Sequence, residues 1–306
     1  MSYHIVSIDS PRCSLSCRDG QLTCKSEDGT ERRLPMEDIA SIVITSFSAT
    51  LHSQLLLEAA RHGISLIICE SFKPTSLLLP ANRSTDTLLT RAQVDLPDKL
   101  KERLWFKTVD AKCQNQYALA RHIAPNDNRL RELKLAASGK HASKESASAR
   151  IFWGILGRTV DSPLFRRERH GGGLNNLLNY GYAVLLSSIL QKLFGVGLDP
   201  TFGIAHAIRE RSTPLAYDLM EPFRPCVDWR IFQWVREHPD PKEWNVTKEY
   251  RAWVTSFPLD VIEHMDLELE VQGCIEGCVR GFRKAVMEKK ARLYRPWTLK
   301  NSKWAG

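Results

Sequence analysis

The chain has 306 residues, 43% of them hydrophobic and 25% charged, and this globular balance excludes a wholly disordered protein. No apolar run approaches the roughly 20 residues of a membrane-spanning helix, and the first residues lack the pattern of a secretory signal. The eight cysteines are too scattered for a disulfide scaffold, so we expect a cytoplasmic protein in a reducing compartment.

Positive charge is unevenly distributed along the chain. The net charge is +8 overall, but residues 1–90 carry −2 and residues 91–306 carry +10. A positive field of this kind concentrates polyanions and favours contacts with phosphates. The second part of the chain is therefore the predicted nucleic-acid surface, and a basic surface without a nucleic-acid ligand is the alternative.

The first 90 residues predict strands and one short helix. Apolar and polar residues alternate in His4–Ile8, and Asp19-Gly20 separates two alternating runs, as in a β-hairpin. Asp28-Gly29 repeats this turn signal, and Ser53–His62 has the spacing of an amphipathic helix. Further strands are expected at residues 32–34, 39–45 and 64–69.

After about residue 90 the hydrophobic period becomes 3.6 residues, which predicts helices. The longest are expected at residues 99–121, 174–194 and 260–288, and the second, which is the most apolar, should be central. Residues 82–96 are the expected link between the two parts. The predicted fold class is α+β, with a small β-rich amino-terminal domain (residues 1–90) followed by a larger all-helical domain (residues 91–306).

Three segments place acids or a histidine in apolar helical surroundings. Glu145 opens a helix of small residues, and His206 follows Gly203-Ile204-Ala205. Asp218 and Glu221 are three residues apart and share a helix face, where burial without a partner costs several kcal/mol. A bound cation removes that penalty, and a salt bridge to Arg224 is the structural alternative.

These same segments carry a resemblance to a known family. The run Leu215–Pro225 fits the pattern D-x-M-E-P-F-R-P, with Gly203–His206 and Glu145–Trp153 upstream and Asn179–Tyr182 between them. Together they resemble the CRISPR-associated adaptation integrases, the Cas1 family, and most closely its type II subfamily. Ser146 and Phe152-Trp153 depart from the usual pattern, which leaves the packing around Glu145 in question but removes no ligand.

The resemblance implies a set of site residues. The family's catalytic metal ligands fall on Glu145, His206 and Glu221, and they would hold Mg²⁺ or Mn²⁺. Supporting or DNA-proximal positions fall on Asp218, Arg224 and Tyr182. Cations expected to contact DNA are Arg166, Arg167, Arg169, Arg209 and Arg211. The tail at residues 289–304 mixes cations with aromatic residues, as in segments that bind phosphates and stack on bases.

The resemblance also implies an activity and partners. Family members insert captured DNA fragments as new spacers into a CRISPR array, by attack of a 3′-hydroxyl on a phosphodiester. They form homodimers, to which residues 1–90 would contribute the dimerisation surface. Two dimers flank the small adaptation partner protein in a heterohexamer, and other type II CRISPR proteins are possible partners.

Two other functions fit the same residues. One is a structure-specific nuclease that cuts branched DNA and needs neither an array nor a partner. The other is a noncatalytic DNA-binding scaffold, in which the acids only pair with arginines.

Overall fold

The computed structural model describes residues 4–46, 48–70, 73–78, 87–139, 143–160, 162, 165–168, 170–206 and 213–299. Its amino-terminal part is built of short strands and one helix. The strands are β1 (His4–Ile8), β2 (Ser14–Arg18), β3 (Gln21–Lys25), β4 (Glu31–Pro35), β5 (Ile39–Ile44), β6 (Thr50–Leu51), β7 (Ser65–Glu70) and β8 (Lys73–Leu78). Helix α1 (Ser53–Arg61) lies between β6 and β7. The strand and helix predictions for this part are confirmed, and β6 and β8 are additions.

These strands form two four-stranded sheets. The first has the order β1-β5-β7-β8, with β1, β5 and β7 parallel and β8 antiparallel. The second has the order β4-β3-β2-β6. The predicted hairpin joins β2 to β3, where Asp19 and Gly20 take φ values of 49° and 70°. Asp and Gly tolerate this left-handed backbone, which is why the pair makes the turn.

The first sheet is buried on both faces. Ile42 of β5 and Leu66 of β7 face a core shared with the second sheet and α1. Val43 and Ile67 point the other way, into the core of the helical part. Successive side chains of a strand alternate between faces, so a run of β-branched residues serves two cores at once.

The remainder of the chain is mainly helical. Its helices are α2 (Thr87–Val94), α3 (Asp98–Ile123), α4 (Leu130–Ser138), α5 (Lys144–Thr159), α6 (Leu174–Gly195), α7 (Pro214–Met220), α8 (Arg224–Glu237), α9 (Lys248–Thr255) and α10 (Val271–Met287). Helix α6 is central and packs against α7, α8, α10 and β5, as its apolar sequence predicts. None of the helices in the described ranges is long and apolar enough to cross a membrane.

The predicted start of the last long helix and the all-helical character of this part are wrong. The helix expected over residues 260–288 begins only at Val271, because strands β9 (Val261–His264) and β10 (Leu267–Glu270) precede it as a hairpin. The turn residues Met265 and Asp266 have positive φ, and the alternation on either side of them is typical of strands. The helical domain is therefore not purely helical. The expected link at residues 82–96 includes α2, and residues 82–86 lie outside the described residues.

The predicted fold class, α+β with a smaller strand-rich part and a larger helical part, is confirmed. The proposed division of the chain at residue 90 stays a prediction.

Candidate active site

Two of the predicted ligands meet at one ammonium group. Lys112 of α3 places Nζ 2.7 Å from Oε1 of Glu145 and 2.6 Å from Oε2 of Glu221. Glu145 lies in the first turn of α5, and Glu221 follows the last residue of α7. Because both carboxylates contact the same nitrogen, they converge on a position that one cation can fill.

Lys112 was missed from the sequence. The sequence shows only that Thr108, Lys112 and Asn115 follow one another on a single face of α3, and the structure adds that all three are buried. Buried polar residues at this spacing need partners on a neighbouring element, and the partners here are the site and the carboxyl-terminal segment.

Glu221 is held by a break in the helix. A 3-10 turn at Glu221–Phe223 separates α7 from α8, since Pro222 and Pro225 have no N–H for a continuous helix. The Glu221 side chain is 4% exposed, and its Oε1 accepts a hydrogen bond from Nε of Arg224 at 2.9 Å. Burial alone would raise the pKa of this carboxyl, but Arg224 and Lys112 outweigh it and lower the pKa to about 2. Glu221 is therefore ionised at neutral pH.

His206 is positioned by the fully buried Asp218. The Asp218 carboxylate accepts backbone hydrogen bonds from Ile204, Ala205 and His206, at 2.7, 3.2 and 3.1 Å. It also contacts Nδ1 of His206 at 2.6 Å, which leaves Nε2 as the ring nitrogen for a ligand. The hydrogen bond to Asp218 raises the pKa of His206, and the negative charge of Glu221 adds to the rise.

Arg224, which pairs with Glu221, also packs against Tyr182. The guanidinium of Arg224 lies 4.6 Å from the centre of the Tyr182 ring, and that of Arg167 lies 5.4 Å from it. The Tyr182 hydroxyl donates a hydrogen bond of 2.5 Å to Oδ1 of Asp228. Asp228 is 1% exposed, and its Oδ2 has no hydrogen-bond partner within the described part of the chain.

The buried Asp228 predicts a specific dependence of stability on pH. Burial raises the pKa of this carboxyl from 3.8 to about 7, so between those values the folded state binds a proton that the unfolded state releases. This contribution to the free energy of unfolding is present below about pH 4 and is lost as pH rises to about 7. The full difference is on the order of 4 kcal/mol. We expect Asp228→Asn to become progressively more stable than wild type over this range in urea unfolding.

The control for this experiment is Asp266→Asn at an exposed turn, which should stay parallel to wild type at every pH. An Asp228→Asn curve that also stays parallel contradicts the assignment.

The carboxylates at Lys112 form a donor set for a divalent cation. Among the described residues, no three His, Cys, Asp or Glu side chains are already arranged around one metal position. The two glutamates nevertheless converge, and Lys112 Nζ stands where a cation is needed. Oε2 of Glu221 is buried and has no hydrogen bond of good geometry in the described ranges, despite its ion pair with Lys112. The structure brings two of the three predicted ligands together, and two carboxylates suit Mg²⁺ or Mn²⁺, so these residues fit such an ion.

A basic cavity of about 1220 Å³ lies along α5. Its lining includes Arg129, Arg150, Trp153, Phe165, Arg166 and Arg167. Glu145 precedes Trp153 on α5 by eight residues, about 12 Å of helix. Cations with an aromatic ring suit a nucleotide chain, since the cations contact phosphates and the ring stacks on a base.

The predicted DNA contacts differ in their surroundings. Arg166 is exposed, whereas the guanidinium of Arg167 donates to the side chains of Asn175 and Asn179 at 2.9 and 2.6 Å. Arg167 therefore has a structural role first. Arg169, Arg209 and Arg211 lie outside the described residues. The assignment of these five arginines to DNA stays a prediction.

Within residues 289–299 of the tail, the aromatic rings are not exposed as predicted. Tyr294 and Trp297 are buried, at 1% and 0% exposure, so neither ring is available to stack on a base. Trp297 instead stacks on Phe223, with centroids 5.8 Å apart, and the Tyr294 hydroxyl lies 3.1 Å from that of Thr108. Residues 300–304 of the predicted tail lie outside the described part.

Solved structures share the fold of this chain. A structure described as a casposase bound to integration product matches with a TM-score of 0.81, 19% identity, and 98% and 96% of the two chains covered. A Cas1 protein from Thermotoga maritima matches with a TM-score of 0.74, 17% identity, and 97% and 99% covered. At these identities the likeness shows the fold alone.

Sequence comparison defines the family. The model of the CRISPR-associated protein Cas1 family matches residues 6–255. A CRISPR-associated endonuclease Cas1 from Neisseria meningitidis is 30% identical over 223 residues, or 71% of each chain. One from Korarchaeum cryptofilum is 28% identical over 270 residues, 76% of this chain and 78% of the relative. The chain belongs to the Cas1 family. The resemblance drawn from the motifs is confirmed, and the Neisseria relative is from a type II system, the predicted subfamily.

Proposed function

We propose that this protein is a metal-dependent DNA integrase and endonuclease, which inserts DNA fragments as new spacers into a CRISPR array. The observation that carries the proposal is the convergence of Glu145 and Glu221 on one cation position. The family membership supports the reaction class. The cytoplasm, where the array is found, is the proposed location.

The proposed reaction exchanges one phosphodiester for another. The 3′-hydroxyl oxygen of the fragment attacks a phosphorus at the end of a repeat, a new P–O bond forms, and the bond to the leaving 3′-oxygen breaks. The proton lost by the attacking hydroxyl ends on the leaving oxygen or in water. The number of phosphodiesters is unchanged, so no ATP is required. With water as the nucleophile, the same step is hydrolysis.

Each site residue has a role in this chemistry. When bound by Glu145, Glu221 and His206, Mg²⁺ or Mn²⁺ supplies a Lewis acid that polarises the phosphoryl oxygen. Asp218 fixes the ring orientation of His206 through Nδ1, so that Nε2 is presented to the ligand. Arg224 keeps Glu221 ionised and holds it in one orientation. Tyr182 packs against the guanidinium of Arg224, and Asp228 accepts the hydrogen bond of the Tyr182 hydroxyl.

The cavity along α5 is the proposed path of the DNA strand that enters the site. Its exposed Arg150 and Arg166 would contact phosphates, and Trp153 would stack on a base. The likeness to a structure described as a casposase bound to integration product supports integration as the reaction.

Arg166 should contribute a phosphate contact. In Arg166→Ala we expect the slope of log K against log salt to become shallower by about 0.9 for each lost contact, with affinity reduced several-fold at low salt. Both quantities are measured by fluorescence anisotropy of a labelled duplex with a single-stranded 3′ end, at salt concentrations from about 50 to 200 mM. Arg280→Ala, at an exposed arginine on α10, should keep the wild-type slope. An unchanged slope in Arg166→Ala removes Arg166 from the interface.

The proposed partners are double-stranded DNA, a second copy of the chain and the small adaptation protein of the heterohexamer. A structure described as a Cas6-RT-Cas1–Cas2 complex matches with a TM-score of 0.75 and 14% identity, covering 98% of this chain and 36% of that one. This fold thus occurs in such an assembly, which supports the small protein as a partner.

The test is a joining assay with the protein, its small partner, Mn²⁺, a short duplex and a plasmid that carries the repeat. We expect joined strands at the repeat ends, lost in Glu145→Gln and His206→Ala while DNA binding survives. Cleavage of branched DNA without preference for repeat ends would favour the structure-specific nuclease. Binding without any joining or cleavage, in wild type as in the variants, would favour the noncatalytic scaffold.

A further inference from the structure

The cation between the two glutamates belongs to the chain itself. The Lys112 side chain is 11% exposed, and its Nζ contacts Glu145 and Glu221, while Arg224 pairs with the other oxygen of Glu221. Two carboxylates are thus matched by two side-chain cations. The cluster has no net charge before any divalent ion arrives.

A simple structural ion pair does not account for this arrangement. Lys144 of α5 and Asp110 of α3 already make an ion pair between the same two helices. The ion pair of Lys112 with Glu145 is therefore a second one between α3 and α5. It requires the burial of a strongly hydrated ammonium group.

The contact with Glu221 has a further property. Oε2 of Glu221 has the Lys112 ammonium 2.6 Å away, yet no hydrogen bond of good geometry reaches it from the described residues. The contact is an ion pair between an ammonium and a carboxylate, and another cation can take the place of the ammonium. A side chain with four flexible carbons can withdraw from such a contact without movement of the helix.

We propose that Lys112 is the resident counter-ion of the two glutamates, which occupies the position of the divalent cation until that cation displaces it. The inference rests on the proposed function, because it takes Glu145 and Glu221 as metal ligands. In the metal-free protein Lys112 prevents repulsion between the carboxylates and keeps them convergent. Its competition for their oxygens weakens divalent-cation binding to the protein.

The experiment measures Mn²⁺ binding to the full-length, DNA-free protein by calorimetry and by the electron paramagnetic resonance signal of free Mn²⁺. Lys112→Met keeps most of the side-chain volume and removes the charge. We expect Mn²⁺ to bind this variant at least about tenfold more tightly than wild type. Lys101→Met is the matched control on the same helix, since Lys101 pairs only with exposed Asp98 among the described residues. It should bind Mn²⁺ as wild type does.

Thermal unfolding, with and without Mn²⁺, gives a second readout. In EDTA, Lys112→Met should unfold at a lower temperature than wild type, and adding Glu145→Gln should return part of the loss, because it relieves carboxylate repulsion. Mn²⁺ should raise the unfolding temperature of Lys112→Met by more than it raises that of wild type. If the methionine variant does not fold, Lys112→Gln gives the same comparison, and Lys112→Arg should keep the low affinity.

The outcomes separate the two proposals. Equal or weaker Mn²⁺ affinity in a folded, uncharged Lys112 variant overturns the counter-ion role while the metal site stands. No Mn²⁺ binding by wild type or any variant, even with DNA present, overturns the proposed metal-dependent function itself.

Discussion

Replacement of Glu221 by glutamine is expected to reduce strand joining about a thousandfold, the largest effect of any single change at the site. A neutral amide contributes no ligand charge, and metal coordination at the transferring phosphate is worth several kcal/mol, where each 1.4 kcal/mol is tenfold in rate. The change also leaves Lys112 and Arg224 without a buried carboxylate partner. Single-turnover joining with Mn²⁺ measures the rate, and anisotropy measures DNA affinity, which should stay within a few-fold of wild type.

Glu237→Gln, at an exposed position near the end of α8, is the matched control and should join DNA at the wild-type rate. If Glu221→Gln retains joining within tenfold of wild type, Glu221 is not a ligand of the catalytic cation. Its buried contacts with Arg224 and Lys112 would then be structural only.

Replacement of Asn115 by alanine is expected to lower the free energy of unfolding by about 3–5 kcal/mol, because several buried polar groups lose their partner together. The fully buried Asn115 amide donates to the carbonyls of Pro222 and Trp297, at 2.9 and 3.0 Å, and accepts from the Leu299 N–H at 2.8 Å. Since Pro222 adjoins Glu221, joining should also fall, by about tenfold as for other residues that support metal ligands. Urea unfolding measures the first effect and the joining assay the second.

The control is Gln114→Ala on the same helix, where the side chain makes a longer hydrogen bond of 3.3 Å to the Ala137 carbonyl. We expect it to cost 1 kcal/mol or less, in line with about 1 kcal/mol for an ordinary hydrogen bond. Equal losses in the two variants would show that Asn115 does not tie α3 to the site and the carboxyl-terminal segment.

Much of the fold could be predicted because local chemistry and tertiary structure agree. Asp19-Gly20 makes a turn of positive φ, and the long apolar pattern of Leu174–Gly195 gives the central helix. The hairpin at residues 261–270 could not be predicted with the same ease. Its four-residue strands are short, and its turn uses Met265 and Asp266 instead of glycine.

The site shows where a single sequence reaches its limit. The motif around Asp218 and Glu221 carries enough unusual residues to be recognised by itself. Lys112 does not, because a lysine on a helix is ordinary until the partner helix is known. The same holds for Trp297, whose place against Phe223 depends on a long-range contact that no local pattern encodes.

The double-sided sheet has a consequence for how the chain can be cut. Ser7 and Tyr180 bring their hydroxyls within 2.6 Å across the two parts, and Arg251 pairs with Asp9 at 2.8 Å. Val43 and Ile67 are interior residues only while α6 covers them. Expressing the strand-rich part separately would therefore expose the apolar face of the first sheet. Such a fragment should aggregate where the intact chain stays in solution.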